Sequence, residues 1–316
     1  MLQFTDTTHA GARHFHEAAL EHARDDVWGY LAEGVFDPYI LKAVFLAGGG
    51  GSGKGFISNV MFGTTKDQAT TGYGLKSVNS DDVLTALARG LGGGKNVDRT
   101  RDVGMPRDKI RKILKKQGLS DKDVDAKFRA LRPGETLDLG KDLMSPRGQG
   151  TREFSKKLIS KRESLFTRGR LGLIIDGTGT KPQDIKQTKA RLEAAGYDTY
   201  MVFVDTDVEV AVARNQDRER KVDDQLIRDA NRDVKAAYET QYKGWFGPRI
   251  HRVDNSKRLV GGELSKLQSE LSKVTMKFLS EPLRNKLGWE WLKAETEGMP
   301  PAMLKKVTWI GKKRGQ

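Results

Sequence analysis

A glycine-rich segment, GGGGSGKG at residues 48–55, follows the apolar run KAVFLA and precedes GFISNVMF, which can open a helix. In the pattern G-x4-G-K-[ST], backbone N–H groups surround phosphate oxygens and the lysine reaches the β- and γ-phosphates. Gly48, Gly53 and Lys54 have this spacing, whereas Gly55 stands where the pattern has a hydroxyl residue. An ordinary glycine-rich turn is the alternative, but the order of strand, glycines, lysine and helix favours a phosphate-binding loop. The residues predicted to bind the phosphates are Gly48, Gly49, Gly50, Gly51, Ser52, Gly53, Lys54 and Gly55.

Apolar runs alternate with amphipathic segments along much of the chain. Strands are predicted at 42–47, 75–79, 171–176, 198–205 and 249–254, and helices at 55–62, 181–195, 207–220, 222–243 and 262–280. Strands that alternate with helices of this length favour right-handed crossovers and one parallel sheet covered on both faces. The expected fold class is therefore α/β, with a five-stranded parallel sheet in the middle of three layers.

Positive charge is concentrated in one part of the chain. The protein has 56 Lys and Arg against 42 Asp and Glu, a formal net charge of +14. Residues 89–170 contain 23 Lys and Arg and 11 Asp and Glu, so this segment alone has a surplus of 12. A local surplus of this size favours a polyanionic partner or substrate.

The domain organisation follows from these patterns. We expect a helical extension at 1–40, a main domain at 41–256 that contains a basic, mostly helical insertion at 90–150, and a helical and basic extension at 257–316. The chain has no cysteine, which excludes disulfides and thiolate chemistry and is compatible with a reducing compartment. Its apolar runs are far shorter than the ~20 residues that span a bilayer, and no signal peptide is evident. We therefore expect a soluble cytoplasmic protein without a membrane partner.

Acidic residues follow two of the predicted strands. In SVNSDD, Asp81 and Asp82 come directly after the second strand, and in IIDGTGT Asp176 ends the next strand and precedes Thr178. The carboxyl ends of parallel strands meet at one edge of a sheet, beside the glycine loop. A phosphoryl transfer needs a carboxylate there to orient or deprotonate the accepting hydroxyl. The alternatives are helix capping for the Asp81 and Asp82 pair and a strand-to-helix turn for the second segment.

Arginines follow the fourth predicted strand. The segment RNQDRERK contains Arg214, Arg218 and Arg220, and residues four apart lie on the same face of a helix. Arg214 and Arg218 can therefore point together at one anion and neutralise a transferring phosphate. A solvated charged face is the alternative, because Asp217 and Glu219 are interleaved.

The order of these segments resembles the zeta-toxin and polynucleotide-kinase branch of P-loop kinases. The matching segments are GGGGSGKG, VNSDD, IDGTGT, FVDTDVEVAVARNQDRER and RVDNS, within about 42–256 apart from the insertion. The loop is also similar to that of nucleoside monophosphate kinases, G-G-P-G-S-G-K-G-T, in which a glycine follows the lysine. Phe56 and Gly50 depart from that second pattern, in which threonine and proline stand at their positions.

The resemblance implies a three-layer P-loop kinase fold at 41–256, the cofactors ATP and Mg²⁺, and a set of residue roles. It places the catalytic base at Asp81 and catalytic cations at Lys54, Arg214 and Arg218. Asp81 and Asp176 would bind the metal, and Asn255 would contact the adenine side of the nucleotide. The substrate contacts would be Asp82, Asp176, Thr178 and Arg220. Asp176 stands where zeta toxins usually have glutamate.

Three functions are compatible with this sequence. The leading hypothesis is an ATP-dependent kinase that phosphorylates a hydroxyl of a nucleic acid or nucleotide, because the basic insertion falls between two of the segments that form the site. The second is a zeta-toxin-like kinase of a small metabolite such as a nucleotide-sugar. The third is a non-catalytic nucleotide-binding protein, in which Gly55 marks lost metal chemistry. Proteins of this pattern are common in tailed-phage genomes, which would place the chain in a host cytoplasm.

Overall fold

The structure, a computed structural model, describes residues 34–63, 70–80, 83–84, 115, 120, 146–217, 222–257, 262–304 and 307. The predicted N-terminal helix and most of the predicted basic insertion lie outside these residues. The chain divides into two compact units, one of Met1–Trp28 and Ser80–Arg162 and one of Gly29–Asn79 and Glu163–Gln316. The second unit contains the sheet and the glycine loop.

In the described part of the chain, five parallel strands form one sheet. They are β1 (Lys42–Ala47), β2 (Lys76–Asn79), β3 (Leu173–Asp176), β4 (Asp198–Asp205) and β5 (Ile250–Asp254), in the order β2-β3-β1-β4-β5. The central strand β1 pairs with β3 on one side and with β4 on the other. The predicted α/β class and the five-stranded parallel sheet are confirmed.

Helices connect and follow the strands. Their bounds are α1 (Lys54–Phe62), α2 (Pro146–Arg168), α3 (Pro182–Ala194), α4 (Val208–Gln216), α5 (Asp224–Ala237), α6 (Lys243–Phe246), α7 (Gly262–Ser280), α8 (Lys286–Glu295) and α9 (Pro301–Leu304). A π-helical turn, Tyr238–Tyr242, joins α5 to α6. Short 3₁₀ turns occur at Gly34–Phe36 and Gly247–Arg249. Within the described residues, no helix is long and apolar enough to span a membrane.

Alternation along the strands divides the core of the second unit into two layers, because successive side chains of a strand point to opposite faces. On one face, Val44 and Leu46 belong to a buried cluster with residues of α1 and α7. On the other face, Phe45 contacts Phe246 edge to face at 5.5 Å, and Phe203 stacks on Tyr238 at 4.2 Å. Helix α7 comes from the predicted C-terminal extension and contributes Leu271, Phe278 and Leu279 to the core cluster.

Two ion pairs are buried near the amino ends of the strands. The Lys42 ammonium lies 2.9 Å from Asp198, and the two side chains are 0% and 2% exposed. The Lys76 ammonium lies 3.2 Å from Asp37. Burial alone would raise the pKa of Asp198, but the positive charges of Lys42 and Arg249 and a backbone N–H lower it overall. The Asp198 carboxylate therefore stays ionised inside the protein.

We predict that Asp198→Asn lowers the free energy of unfolding by about 3 kcal/mol or more, because it leaves the Lys42 ammonium in the interior without the carboxylate that compensates it. Urea unfolding measures this difference. Glu290→Gln is the control, since it removes an exposed carboxylate 3.7 Å from Lys286, and it should change the unfolding midpoint little.

The Asp198 carboxylate also makes the free energy of unfolding depend on pH. Because its pKa is lower in the folded than in the unfolded state, its stabilisation is complete above the ordinary aspartate pKa and is lost as the pH falls through the lowered value. Asp198→Asn should therefore weaken the acid dependence of unfolding. If Asp198→Asn and Glu290→Gln lowered the free energy of unfolding equally at neutral pH, the predicted role of the buried pair would be wrong.

Candidate active site

The glycine loop lies at the carboxyl edge of the sheet, between β1 and α1. Residues 48–53 connect the two elements, and Lys54 is the first residue of α1. The Lys54 ammonium donates hydrogen bonds to the carbonyl oxygens of Gly48, at 2.7 Å, and Gly49, at 3.3 Å. A cation and a helix N-terminus are thereby brought together at the loop, an arrangement that favours an anion.

Neighbouring elements approach the loop so closely that they exclude side chains from it. A Cβ atom on Gly51 would lie 2.1 Å from the carbonyl oxygen of Ala211 in α4. A Cβ atom on Gly53 would lie 2.2 Å from the side-chain nitrogen of Asn255. Both glycines also have positive φ, of 73° and 81°. Packing and backbone conformation therefore require glycine at these two positions.

Side chains from three elements hold the carbonyl groups of the loop. The Ser52 carbonyl oxygen accepts hydrogen bonds from Thr206 Oγ1, at 2.9 Å, and Asn255 Nδ2, at 2.8 Å. The Gly50 carbonyl oxygen accepts one from Asn231 Nδ2, at 3.0 Å. The three donors follow β4, follow β5 and lie on α5, respectively. The conformation of the loop is thus fixed from several directions.

Asn255, predicted to contact the adenine, is 4% exposed and its amide is used in this contact with the loop. Its role towards an adenine stays a prediction.

The loop after β3 is joined to the glycine loop. The Gly48 N–H donates to the Thr178 carbonyl oxygen at 3.1 Å. Asp176 and Asn79 are partners in the register of β3 and β2, and Asn79 Nδ2 donates to Asp176 Oδ2 at 3.0 Å. The structure therefore brings the predicted residues Asp176 and Thr178 to the same edge of the sheet as the glycine loop.

Arg214 lies near the end of α4 and reaches the glycine loop. Its Nη1 donates to the Asn255 carbonyl oxygen at 2.8 Å and lies 3.6 Å from the position of a Cβ atom on Gly53. One of the predicted phosphate-neutralising arginines is therefore beside the loop. The other predicted site residues, Asp81, Asp82, Arg218 and Arg220, lie outside the described residues and stay predictions.

Sequence reasoning missed an ionic cluster at the end of β4. Asp205 is 7% exposed, forms an ion pair with Lys235 of α5 at 3.0 Å and accepts hydrogen bonds from Arg252 of β5. Burial acts to raise the pKa of Asp205, but the neighbouring Lys235 ammonium and the hydrogen-bonded Arg252 guanidinium outweigh it and lower the pKa. The cluster fixes α5 against the two strands that lead to Thr206 and Asn255. The signal in the sequence was an aspartate at the end of a strand, the same signal that Asp176 gives.

Sequence reasoning also missed Asn231 and Tyr242. The Tyr242 hydroxyl donates to the Gly179 carbonyl oxygen, in the loop after β3. Burial raises the pKa of Tyr242 to about 12, so the hydroxyl keeps its proton at neutral pH. The available signal was a polar group on the apolar face of an amphipathic helix.

Among the described residues, no group of three or more His, Asp or Glu side chains forms a ready metal site. Mg²⁺ on a nucleotide does not need one, because it takes most of its ligands from phosphates and water and one or two from carboxylates. Asp176 supplies a carboxylate at the sheet edge. A Cβ atom on Gly55 would have nothing within 4 Å, so the absence of a hydroxyl there leaves space beside the loop. The residues present therefore fit a nucleotide-bound Mg²⁺.

The structure has the fold of a P-loop kinase. The features that define this fold are the loop between the central strand and α1, the parallel sheet and the order of its strands. Asp176, at the end of β3, and Arg214, on α4, lie at the same edge of the sheet as this loop.

Comparison with known proteins shows a partial match to one family. Residues 134–261, less than half of the chain, match the family model described as Zeta toxin. The match includes β3 to β5 and the helices between them, and confirms the resemblance to zeta toxins predicted from the sequence. It leaves out the glycine loop, which the structure supplies independently.

A solved structure described as the native AvrRxo1-ORF1:-ORF2 complex is similar to the chain, with a TM-score of 0.43 and 14% identity over 90% of this chain and 84% of that one. Nothing about the activity of this protein follows from a likeness of that size. No curated protein sequence matches the chain.

We predict that alanine has different effects at Gly53 and at Gly55. Gly53→Ala places a Cβ atom 2.2 Å from Asn255 Nδ2 and strains a positive φ, so it should lower the free energy of unfolding by about 1–3 kcal/mol. Gly55→Ala is the matched control, because the position is open and lies in the first turn of α1. It should be neutral or stabilise the protein by up to about 1 kcal/mol. Urea unfolding of both variants measures these differences. An unchanged free energy of unfolding in Gly53→Ala would contradict the tight packing of the loop.

Proposed function

We propose that this protein is an ATP-dependent phosphotransferase that moves the γ-phosphoryl group of ATP to a hydroxyl acceptor. The observation that carries the proposal is the glycine loop, in which carbonyl groups are held by side chains of other elements while Lys54 and Arg214 lie beside it. Such a loop grips phosphates through its backbone N–H groups. The zeta-toxin family match supports the same chemistry for the part of the chain that follows.

In the proposed reaction, loop amides and Lys54 bind the β- and γ-phosphates. The acceptor oxygen forms a bond to the γ-phosphorus, the bond between that phosphorus and the β–γ bridging oxygen breaks, and ADP leaves. The acceptor proton goes to the proposed base, Asp81, which follows β2 by two residues in the sequence. Arg214, with Arg218, neutralises the charge on the transferring group. When bound, Mg²⁺ supplies further neutralisation of the phosphates, with Asp176 and Asp81 as the proposed ligands.

The leading proposal for the acceptor is a nucleic acid or nucleotide. Its support is the surplus of 12 positive charges in residues 89–170, which enter the sequence between β2 and β3. A cationic segment favours a polyanionic acceptor and makes binding salt-dependent. Arg220 and Asp82 are proposed to contact this acceptor, together with Thr178, which the structure places at the sheet edge.

The second proposal is a small-metabolite acceptor such as a nucleotide-sugar. The observation that favours it is the match of residues 134–261 to the Zeta toxin family model. In this case the basic segment would be a surface for another partner. A non-catalytic nucleotide-binding protein is the third possibility, and its motivation is Gly55 in place of a hydroxyl residue.

We predict phosphate transfer from γ-labelled ATP in the presence of Mg²⁺ to at least one member of a panel of DNA, RNA, nucleotides and nucleotide-sugars. Lys54→Ala should lower the transfer rate by about 100-fold or more, because it removes a cation from the transferring phosphates. Asp81→Asn should lower it by a similar factor, because it removes the base. Lys286→Ala, which removes an exposed cation on α8, is the control and should transfer at the wild-type rate.

The panel separates the three possibilities. Transfer to DNA or RNA whose affinity falls steeply with salt supports the nucleic-acid acceptor. Turnover of a nucleotide-sugar together with salt-independent binding of DNA supports the metabolite. ATP binding without transfer or hydrolysis supports the non-catalytic protein, and the absence of ATP binding would overturn all three.

A further inference from the structure

Helix α5 and the π-helical turn run along the carboxyl edge of the sheet with one buried stripe. Its residues recur every three or four positions and are Ile227, Asn231, Val234, Tyr238 and Tyr242. Asn231 is 2% exposed although its side chain is an amide. Burial of an amide is costly unless its hydrogen bonds are satisfied, so the contacts of Asn231 need an explanation.

The Asn231 amide group makes two contacts. Its Nδ2 donates to the Ile227 carbonyl oxygen of its own helix at 2.8 Å and to the Gly50 carbonyl oxygen at 3.0 Å. The amide also lies where a side chain on Gly49 would be, since a Cβ atom there would approach Asn231 Oδ1 to 2.4 Å. The residue therefore links α5 to the middle of the glycine loop.

This contact determines how one peptide group of the loop is oriented. In a trans peptide the C=O of one residue and the N–H of the next point in opposite directions. The Gly50 carbonyl group is held towards α5, so the Gly51 N–H points away from α5. The same reasoning applies to Ser52, whose carbonyl oxygen is held by Thr206 and Asn255. The N–H groups of Gly51 and Gly53, which follow these two carbonyl groups, therefore have a fixed direction before any ligand binds.

We propose that Asn231 is a positioning residue for phosphate binding, which fixes the peptide group between Gly50 and Gly51 so that its N–H meets the phosphate chain. The proposal rests on the proposed function for the identity of the ligand. The orientation of the loop is independent of the proposed function, because it is a property of the free protein. Without the contact, this peptide group can rotate, because glycine on either side allows many backbone conformations.

The test uses Asn231→Asp, which keeps the shape of the side chain and replaces the donor Nδ2 by an oxygen. That oxygen would face the carbonyl oxygens of Gly50 and Ile227 and cannot hold the loop. The matched control is Asn285→Asp near the amino end of β4. The Asn285 amide also donates to two carbonyl oxygens, those of Glu193 at 2.7 Å and Tyr197 at 3.1 Å, but it does not contact the glycine loop.

Two readouts are measured on the full chain. The first is amide hydrogen exchange of the peptide 49–56 in the ligand-free protein. The second is the affinity for ATP with Mg²⁺ by calorimetry. We expect Asn231→Asp to speed exchange in this peptide and to weaken ATP binding by about tenfold or more, the loss that one hydrogen bond to a buried group corresponds to. Asn285→Asp should lower the unfolding midpoint and leave both readouts unchanged.

The outcomes distinguish a failure of this proposal from a failure of the proposed function. Unchanged exchange in Asn231→Asp, or equal changes in the two variants, would overturn the positioning role. Faster exchange in a protein whose wild type binds no ATP would keep the oriented loop and overturn the proposed function. If Asn231→Asp does not fold, Asn231→Ala removes the same donor without adding a carboxylate, and its exchange and ATP affinity decide in the same way.

Discussion

The site depends on how closely α4 and α5 approach the glycine loop. The Ala211 carbonyl group and the Asn231 amide lie where side chains of Gly51 and Gly49 would otherwise be. A loop of glycines would have many conformations by itself. A glycine loses more conformational entropy on folding than any other residue type. The contacts with Asn231, Thr206 and Asn255 offset this cost within the folded protein. The loop therefore has a defined shape before any ligand binds.

The two edges of the sheet use polar groups differently. At the amino edge, the pairs of Lys42 with Asp198 and of Lys76 with Asp37 satisfy charges in the interior. At the carboxyl edge, Asp205 and its cationic partners hold α5, and the remaining polar side chains hold loop carbonyl groups. The candidate site lies at the carboxyl edge, where open parallel sheets bind their ligands.

Local patterns in the sequence predicted much of this arrangement. Apolar runs predicted β1, β3 and β4, and the spacing of Gly48, Gly53 and Lys54 predicted the loop, since both signals depend on neighbouring residues. A polar residue on the apolar face of a helix marks Asn231 as unusual, but its partner could not be predicted in this way, because Gly50 is 181 residues away in the sequence. Helix α8 was not predicted either. It packs its Gly288 against the backbone of Gly196, a contact between distant segments that no local pattern encodes.

Helix α7 has a consequence for the order in which the protein folds. Leu271, Phe278 and Leu279 cover the same apolar cluster as Val44, Leu46 and the residues of α1, although they are more than 200 positions later in the chain. During synthesis the chain emerges from its N-terminus, so the part of this cluster that α7 covers stays open until the helix has been made. The glycine loop and α1 are thus translated well before the helix that completes the packing beneath α1.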